Sequence, residues 1–384
     1  MTSFDLFMVI GFMLAAYSIV ANDAIQTLGT FLSSNRTRPW WVLCIYICSV
    51  LTAVLFYGWY VNDGDISYGR LAKFPMPEGG ISWIHALPPL AILLLTRFGI
   101  PVSTTFLVLT VFAPAALGSM LTKSLLGYVV AFGAGFLIYK FVTATVERHF
   151  MDTLNEARSP VWTVLQWIST AFLWSQWLIQ DLANIFVYMP RQLSVTLLIT
   201  VTALMWILHA YIFYSRGGAI QKIVTSKTNT QDIRSATIID FMYALILLVF
   251  KEYSHIPMST TWVFLGLLAG REFAISLPPL RLRSTRETAK LAMGDALKAG
   301  SGLAISIVLA FGLPVLNQAV SRPSSGPVAR MSQPTGIEAA TTPVPEARLQ
   351  SVEPLAAIPA AEADAARKLK LVEGQREHTV IDIR

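Results

Sequence analysis

The chain reads as a series of long apolar runs, broken at four places by short polar groups. A hydrocarbon core about 30 Å thick takes roughly 20 helical residues to cross, and several runs are that long. Phe4 to Ala21 breaks at Asn22-Asp23 and resumes from Ala24 to Leu32. Trp40 to Tyr60 is an uninterrupted span with aromatic ends, as the interfacial positions of a membrane helix should be. Two shorter arms, Trp83 to Leu95 and Val102 to Leu117, meet at Ile100-Pro101-Val102-Ser103-Thr104-Thr105, and Ser124 to Val146 is a further span. The charged stretch Glu147 to Pro160 ends this half, and the plan then repeats. Val161 to Ile179 runs into Gln180-Asp181 and continues from Leu182 to Met189, followed by a span from Val195 to Tyr214. Arms at Ile238 to Phe250 and Met258 to Leu277 flank Ile256-Pro257-Met258-Ser259-Thr260-Thr261, and Ala299 to Leu316 is the last span. Loops are expected at Asn62 to Ser82, Ser215 to Arg234 and Arg281 to Lys298. Residues 321–384, rich in Pro, Ala, Ser and Glu, read as a disordered tail with weak helix from Ala360 to Leu371.

The two halves carry the same polar interruptions in the same order. Asp23 lies 80 residues before Ser103, and Asp181 lies 78 before Ser259. Two matched copies are the mark of a transporter assembled from internal repeats. The expected architecture is therefore an all-α polytopic membrane protein. Its repeats would cover 1–155 and 156–320 and be built from broken helices or re-entrant hairpins.

Composition agrees. Of 384 residues 54% are hydrophobic and 14% charged, against roughly 25% charged in soluble domains. The isoelectric point near 9.3 comes from basic loops; no Lys/Arg cluster suggests a nucleic-acid partner. Cys44 and Cys48 stand four apart on an apolar helix, poorly placed for a disulfide or metal site in the pattern of the chain. Phe4 to Val20 lacks a basic start and a small-residue cleavage site and reads as a retained span.

Loop charge supplies an orientation. Arg36/Arg38, the stretch from Arg216 to Arg234 and the stretch from Arg281 to Lys298 are basic and belong inside. Asn62 to Ser82, with Asp63, Asp65 and Glu78 against Arg70 and Lys73, belongs outside. Each half then crosses an odd number of times, so the halves run in opposite senses and both termini are extracytoplasmic. A multi-pass protein of the cell (inner) membrane is expected, and a homodimer is compatible with the chain.

The polar interruptions carry the chemistry. A charge at mid-membrane costs roughly 2.5–3.5 kcal/mol even on the lenient insertion scale, so intramembrane acids are functional by default. Asp23 is flanked by Asn22 and Gln26, and Asp181 by Gln180 and Asn184. Carboxylate and amide oxygens are hard ligands suited to sodium, with Asp23 and Asp181 as the charged members, or the carboxylates take a proton. A purely structural packing network is the plainer alternative. In the hydroxyl stretches, proline is expected in the first helical turn and Ser103 and Ser259 as caps. The helix N-termini, with Ser103, Thr104, Thr105, Ser259, Thr260 and Thr261, would then cradle an anion. Ordinary kinks explain one copy easily and two matched copies poorly. Two aspartates and an anion in one dehydrated site need cations to balance them, which favours a cation-coupled symporter over a uniporter. Arg191 is expected to mark an interface, and Arg97 and His255 are weaker candidates. Lys251-Glu252 and Arg271-Glu272 are expected to pair.

At these residues the chain resembles the inorganic phosphate transporter (PiT) family, which carries two Asn-Asp-x-x-Asn cores and two Pro-Val-Ser-Thr-Thr stretches on inverted repeats. Asn22-Asp23-Ala24-Ile25-Gln26 and Gln180-Asp181-Leu182-Ala183-Asn184 match the first element, and Pro101 to Thr105 and Pro257 to Thr261 the second. The resemblance covers about residues 4 to 318. It implies that Asn22, Asp23, Asp181 and Asn184 bind the coupling cation, and that the six hydroxyls hold phosphate. The chain departs from the pattern at Gln26 and Gln180. It also departs at Phe106 and Trp262, where the family has His, and in lacking a glutamate in Trp40–Tyr60 and Val195–Tyr214. It reads as a divergent member: a transporter of phosphate driven by sodium or protons, with no cofactor and no enzymatic activity. Sulfate is the alternative substrate, because it only accepts hydrogen bonds and the cradle offers donors. An intramembrane aspartyl protease would need Gly-x-Gly-Asp around its acids, which is absent at both. A channel would not concentrate its substrate.

Overall fold

The computed structural model describes residues 6–78, 80–98, 100, 102–140, 149–150, 153, 159–216, 232–253, 257–278 and 284–321. The side chains of 24–26 and 317–321 lie outside this description. Residues 1–324 group as one unit and 325–384 as a second, and the second, with the expected tail from 322 onward, lies outside the described residues.

Regular structure among the described residues is helical. α1 (Leu6–Ile19) passes through a π-helical turn at Val20–Ala24 into α2 (Ile25–Ser34), followed by α3 (Trp40–Val61). Short 3₁₀ turns at Arg70–Lys73 and Trp83–Ala86 lead to α4 (Leu87–Arg97), α5 (Thr104–Phe112) and α6 (Leu117–Ile138). Next come α7 (Pro160–Phe186), α8 (Val195–Tyr214), α9 (Ile233–Tyr253), α10 (Thr260–Ser276) and α11 (Thr285–Ser321). Among the described residues six helices are long and apolar enough to cross a membrane. With their outward rows of Leu, Val, Ile, Phe and Tyr, they make this an integral membrane protein.

α7 is the axis of the fold. From Trp177 to Phe186 every one of its residues is buried, including Gln180, Asp181 and Asn184. α9 packs along it, and α1, α2, α3 and α5 also touch it. Packing pairs recur between the halves. α5 lies on α11 as α10 lies on α6, α1 meets α4 as α7 meets α9, and α3 meets α8. The hydroxyl-capped helix of each half thus packs on the last described long helix of the other half. The α6–α10 contact brings backbones together: a Cβ on Gly266 would sit 2.4 Å from the Tyr128 carbonyl oxygen, and one on Gly270 2.1 Å from that of Phe132.

Several expected boundaries move. α5 stops at Phe112 because Pro114 begins a 3₁₀ turn and keeps the residue before it out of the helical region. α6 therefore begins at Leu117 instead of Ser124 and takes Lys123 into its buried face, while residues 141–146 of that expected span lie outside the described residues. α9 is 21 residues long and apolar throughout its middle, so it is a full-length span where a short arm was expected. The expected basic loop before the last span is helical from Thr285 onward, because Ala, Leu, Lys and Glu favour a helix and nothing there breaks one. Lys251 and Glu252 pair at 3.1 Å, and Arg271 and Glu272 at 3.0 Å. Cys44 and Cys48 are free thiols with sulfurs 3.8 Å apart.

Arg234, expected in a basic loop, is instead a buried staple. Its guanidinium meets Asp232 at 2.7 Å, donates to the Phe150 carbonyl and Thr153 hydroxyl, and lies 4.3 Å from the Phe150 ring centroid. Arg234→Gln leaves Asp232 buried beside a neutral group, at a cost of about 3–5 kcal/mol. The expected result is a clear fall in melting temperature of the purified protein in detergent; an unchanged melt would show that the pair contributes nothing.

Candidate functional site

The first acidic core lies on the π turn. A π turn inserts one residue and breaks the regular i→i−4 ladder, a distortion that clusters at functional sites. Asn22 uses it to donate through Nδ2 to Asp23 Oδ1 at 2.6 Å and to the Val102 carbonyl at 2.9 Å. Its Oδ1 accepts from Thr96 at 3.3 Å. The second core differs: α7 runs unbroken through Gln180, Asp181 and Asn184, so the polar interruption of the apolar run is carried within one continuous helix. The i, i+3 spacing within the helix puts Asn184 beside Asp181, and its Nδ2 donates to Asp181 Oδ1 at 2.7 Å.

Both hydroxyl stretches are helix starts, as expected. Ser103 caps α5 by accepting from the Phe106 amide at 3.3 Å, and Ser259 caps α10 by accepting from the Trp262 amide at 3.3 Å. The expected proline at the first helical turn is corrected: Pro257 stands two residues ahead of its cap, outside α10. There it fixes the chain that enters the cap. Pro101, and His255 near the second tip, lie outside the described residues.

The two tips lock onto one another. Thr105 donates to the Met258 carbonyl at 3.2 Å, and Thr261 donates to the Val102 carbonyl at 3.2 Å. These are matching positions of the two hydroxyl stretches, exchanged. The aromatics just behind them, Phe106 and Trp262, meet edge to face at 5.7 Å between centroids. Both acidic cores reach the first tip. Thr104 donates to Asp23 Oδ2, Thr105 also donates to Asp181 Oδ1 at 3.4 Å, and Asn184 donates to both threonine hydroxyls at 3.2 and 3.1 Å. Thr260 lies against Asp181, and its carbonyl accepts from Tyr243 at 2.9 Å. Eight of the twelve expected site residues, Asn22, Asp23, Thr104, Thr105, Asp181, Asn184, Thr260 and Thr261, thus share this cluster, Ser103 and Ser259 cap its two helices, and Gln180 holds the Leu247 carbonyl at 3.2 Å. Gln26 lies on α2, with its side chain outside the described residues.

Three buried oxygens of the second core accept no hydrogen bond: Gln180 Oε1, Asp181 Oδ2 and Asn184 Oδ1. Carboxylate and carbonyl oxygens withdrawn from water and left without donors fit a hard monovalent cation or, at Asp181, a proton. Around the tips, each threonine hydroxyl proton of α5 is already directed at a protein oxygen. The backbone amides of the first turns of α5 and α10 keep no intrahelical acceptor.

Two features escaped the sequence reading. Asp240, on α9, is fully buried and accepts from Thr30 at 2.5 Å and Thr170 at 2.6 Å. A lone acid in an apolar run was its available signal. Arg70, assigned to an outer loop, is only 2% exposed. Arg191 holds the Val187, Met189 and Phe74 carbonyls, so it fastens the end of α7, and Arg97 is exposed at the end of α4.

No protein-family model matches the chain, and no curated protein does. Among solved structures, a protein titled the sodium-dependent phosphate transporter is similar over 83% of this chain and 100% of its own, with 15% identity and a TM-score of 0.47.

Proposed function

We propose that this protein is a cation-coupled symporter of a tetrahedral oxyanion, with inorganic phosphate as the first candidate and sulfate as the second. The observation that carries the reading is the crossed lock at the centre. Two capped helix N-termini, one from each half of the chain, meet each other and two buried aspartates in one hydrogen-bonded cluster. On this reading 1–155 and 156–320 are inverted repeats, and alternating access is the movement of one half against the other around the cluster.

The same geometry supplies a coupling mechanism. Thr104 commits its hydroxyl proton to Asp23, and Thr105 shares its proton between the Met258 carbonyl and Asp181. A cation bound at the aspartates and at Gln180 and Asn184 neutralises them, releasing the hydroxyls to turn toward an anion. The anion meets the hydroxyls and the positive ends of α5 and α10. Cation therefore binds before anion, and each stabilises the other. Sodium fits the unpartnered oxygens, and a proton on Asp181 would serve the same electrostatic purpose.

The test is uptake into proteoliposomes holding the full chain, with labelled phosphate or sulfate and an imposed sodium or proton gradient. Accumulation of one anion that requires one gradient is expected. Equal, gradient-independent equilibration would indicate a channel, and no flux of either anion by folded protein would remove the reading.

A further inference from the structure

Resting on the symporter reading, we propose that Arg70 is an anion-binding residue of the central site: its guanidinium is the buried cationic donor that the hydroxyl cradle itself lacks. Arg70 is 2% exposed, and its Nε and Nη1 have no hydrogen-bond partner. Burying a guanidinium without an acceptor is costly, and such groups are ordinarily paired. The burial is imposed by a well-built turn. Asp65 accepts from the Ser67 amide and hydroxyl and from the Gly69 amide, while Tyr68 and Gly69 take left-handed conformations. Leu71 and Phe74 enter the apolar core on the far side of the turn. The 3₁₀ turn packs on α7, and Arg70 is drawn electrostatically first to Asp181 and then to Glu252. Glu252 already pairs with Lys251. Burial holds the guanidinium down at about 10, against the pull of those two carboxylates, so it stays charged at neutral pH.

A second cation shares this region. Lys123 is buried on α6 within electrostatic range of Arg70, and the residue after it, Ser124, accepts from the Ser259 amide at 2.8 Å. A charged Lys123 and Arg70 repel one another across this region. An anion between them and the first turn of α10 would relieve that repulsion and occupy the free donors of Arg70. Guanidinium matches a tetrahedral oxyanion with two parallel N–H donors, and this geometry serves phosphate and sulfate alike. When the aspartates carry their cations, Asp181 no longer competes for Arg70, which strengthens the coupling described above.

The experiment is equilibrium binding of labelled phosphate and of labelled sulfate to the purified full chain in saturating sodium, with sodium binding measured separately in the absence of anion. Arg70→Gln is expected to weaken binding of the accepted anion on the order of 10–100-fold while sodium binding stays within about threefold, the loss usual for a charge-assisted contact. Arg70→Lys, which keeps the charge and loses the fork, should fall between. A merely structural Arg70 would lower both affinities together, and that result, or an unchanged anion affinity, overturns the proposal. If Arg70→Gln does not fold, Arg70→Lys decides: wild-type anion affinity overturns the assignment. Should the wild-type protein bind neither anion, the symporter reading itself fails. Wild-type binding that survives in Arg70→Gln removes only the role of Arg70.

Discussion

Asp181→Asn is expected to abolish gradient-driven uptake, with a loss of a hundredfold or more, while the protein remains folded. The two oxygens of Asp181 have different surroundings. Oδ1 accepts from Asn184 and Thr105, whereas Oδ2 accepts no hydrogen bond of normal geometry, with the Thr260 side chain close to the carboxylate. An asparagine can keep its carbonyl at the first position and place its amide at the second without losing a protein hydrogen bond. The substitution therefore removes charge and proton affinity and leaves packing nearly unchanged. Removing one member of a buried charge pair costs about 3–5 kcal/mol, which is the source of the expected factor. Asp23→Asn is a less clean test, because both Asp23 oxygens accept from protein donors, Asn22 and Thr104. The measurement is initial uptake rate with the melting temperature alongside. Uptake within threefold of wild type would show that Asp181 holds no coupling ion. Loss under both sodium and proton gradients is expected, since asparagine supplies neither a full negative charge nor a site for a proton.

The second large effect lies in the scaffold. Gly270→Val is expected to prevent folding, and Gly270→Ala to destabilise by about 1–3 kcal/mol through overpacking. Gly266-x-x-x-Gly270 on α10 faces α6, where Gly127 and Gly135 present an equally small surface. In a membrane there is little hydrophobic force between helices, so close backbone approach across small residues supplies the packing. A Cβ at Gly270 would lie 2.1 Å from the Phe132 carbonyl oxygen and 2.8 Å from the Phe136 amide nitrogen, and neither backbone group can swing away. Gly294→Ala on α11 is the control: its Cβ meets nothing within 4 Å, and helix propensity predicts a gain of up to about 1 kcal/mol. Monodispersity and melting temperature in detergent check both. A well-folded Gly270→Val protein would mean that α6 and α10 do not approach this closely.

The largest errors of the sequence reading fall where a local rule met a tertiary one. Arg234 looked like loop charge because charge counting ignores partners, yet Asp232 and Phe150 make burial tolerable. Arg70 was counted as loop charge in the same way, while a turn set by Asp65 and Gly69 buries its side chain. At the second acidic core, an aspartate with an Asn three residues on sits inside a continuous helix because its carboxylate is bonded there, whereas the first core falls on a π turn, a difference that the matched sequences did not signal.

Hydrophobic run length determined the membrane class, and the chemistry of serine before two threonines determined where α5 and α10 start, because capping is satisfied within four residues of chain. Repetition of two polar interruptions determined which residues to group as a site. Only the tertiary structure decided that the tips bond each other crosswise, that both aspartates reach the same threonines, and that three oxygens of α7 and a guanidinium from a distant turn are left without partners. Those facts depend on contacts between residues 70 to 160 positions apart, where the entropy of bringing segments together is offset by packing of whole helices and not by any local preference.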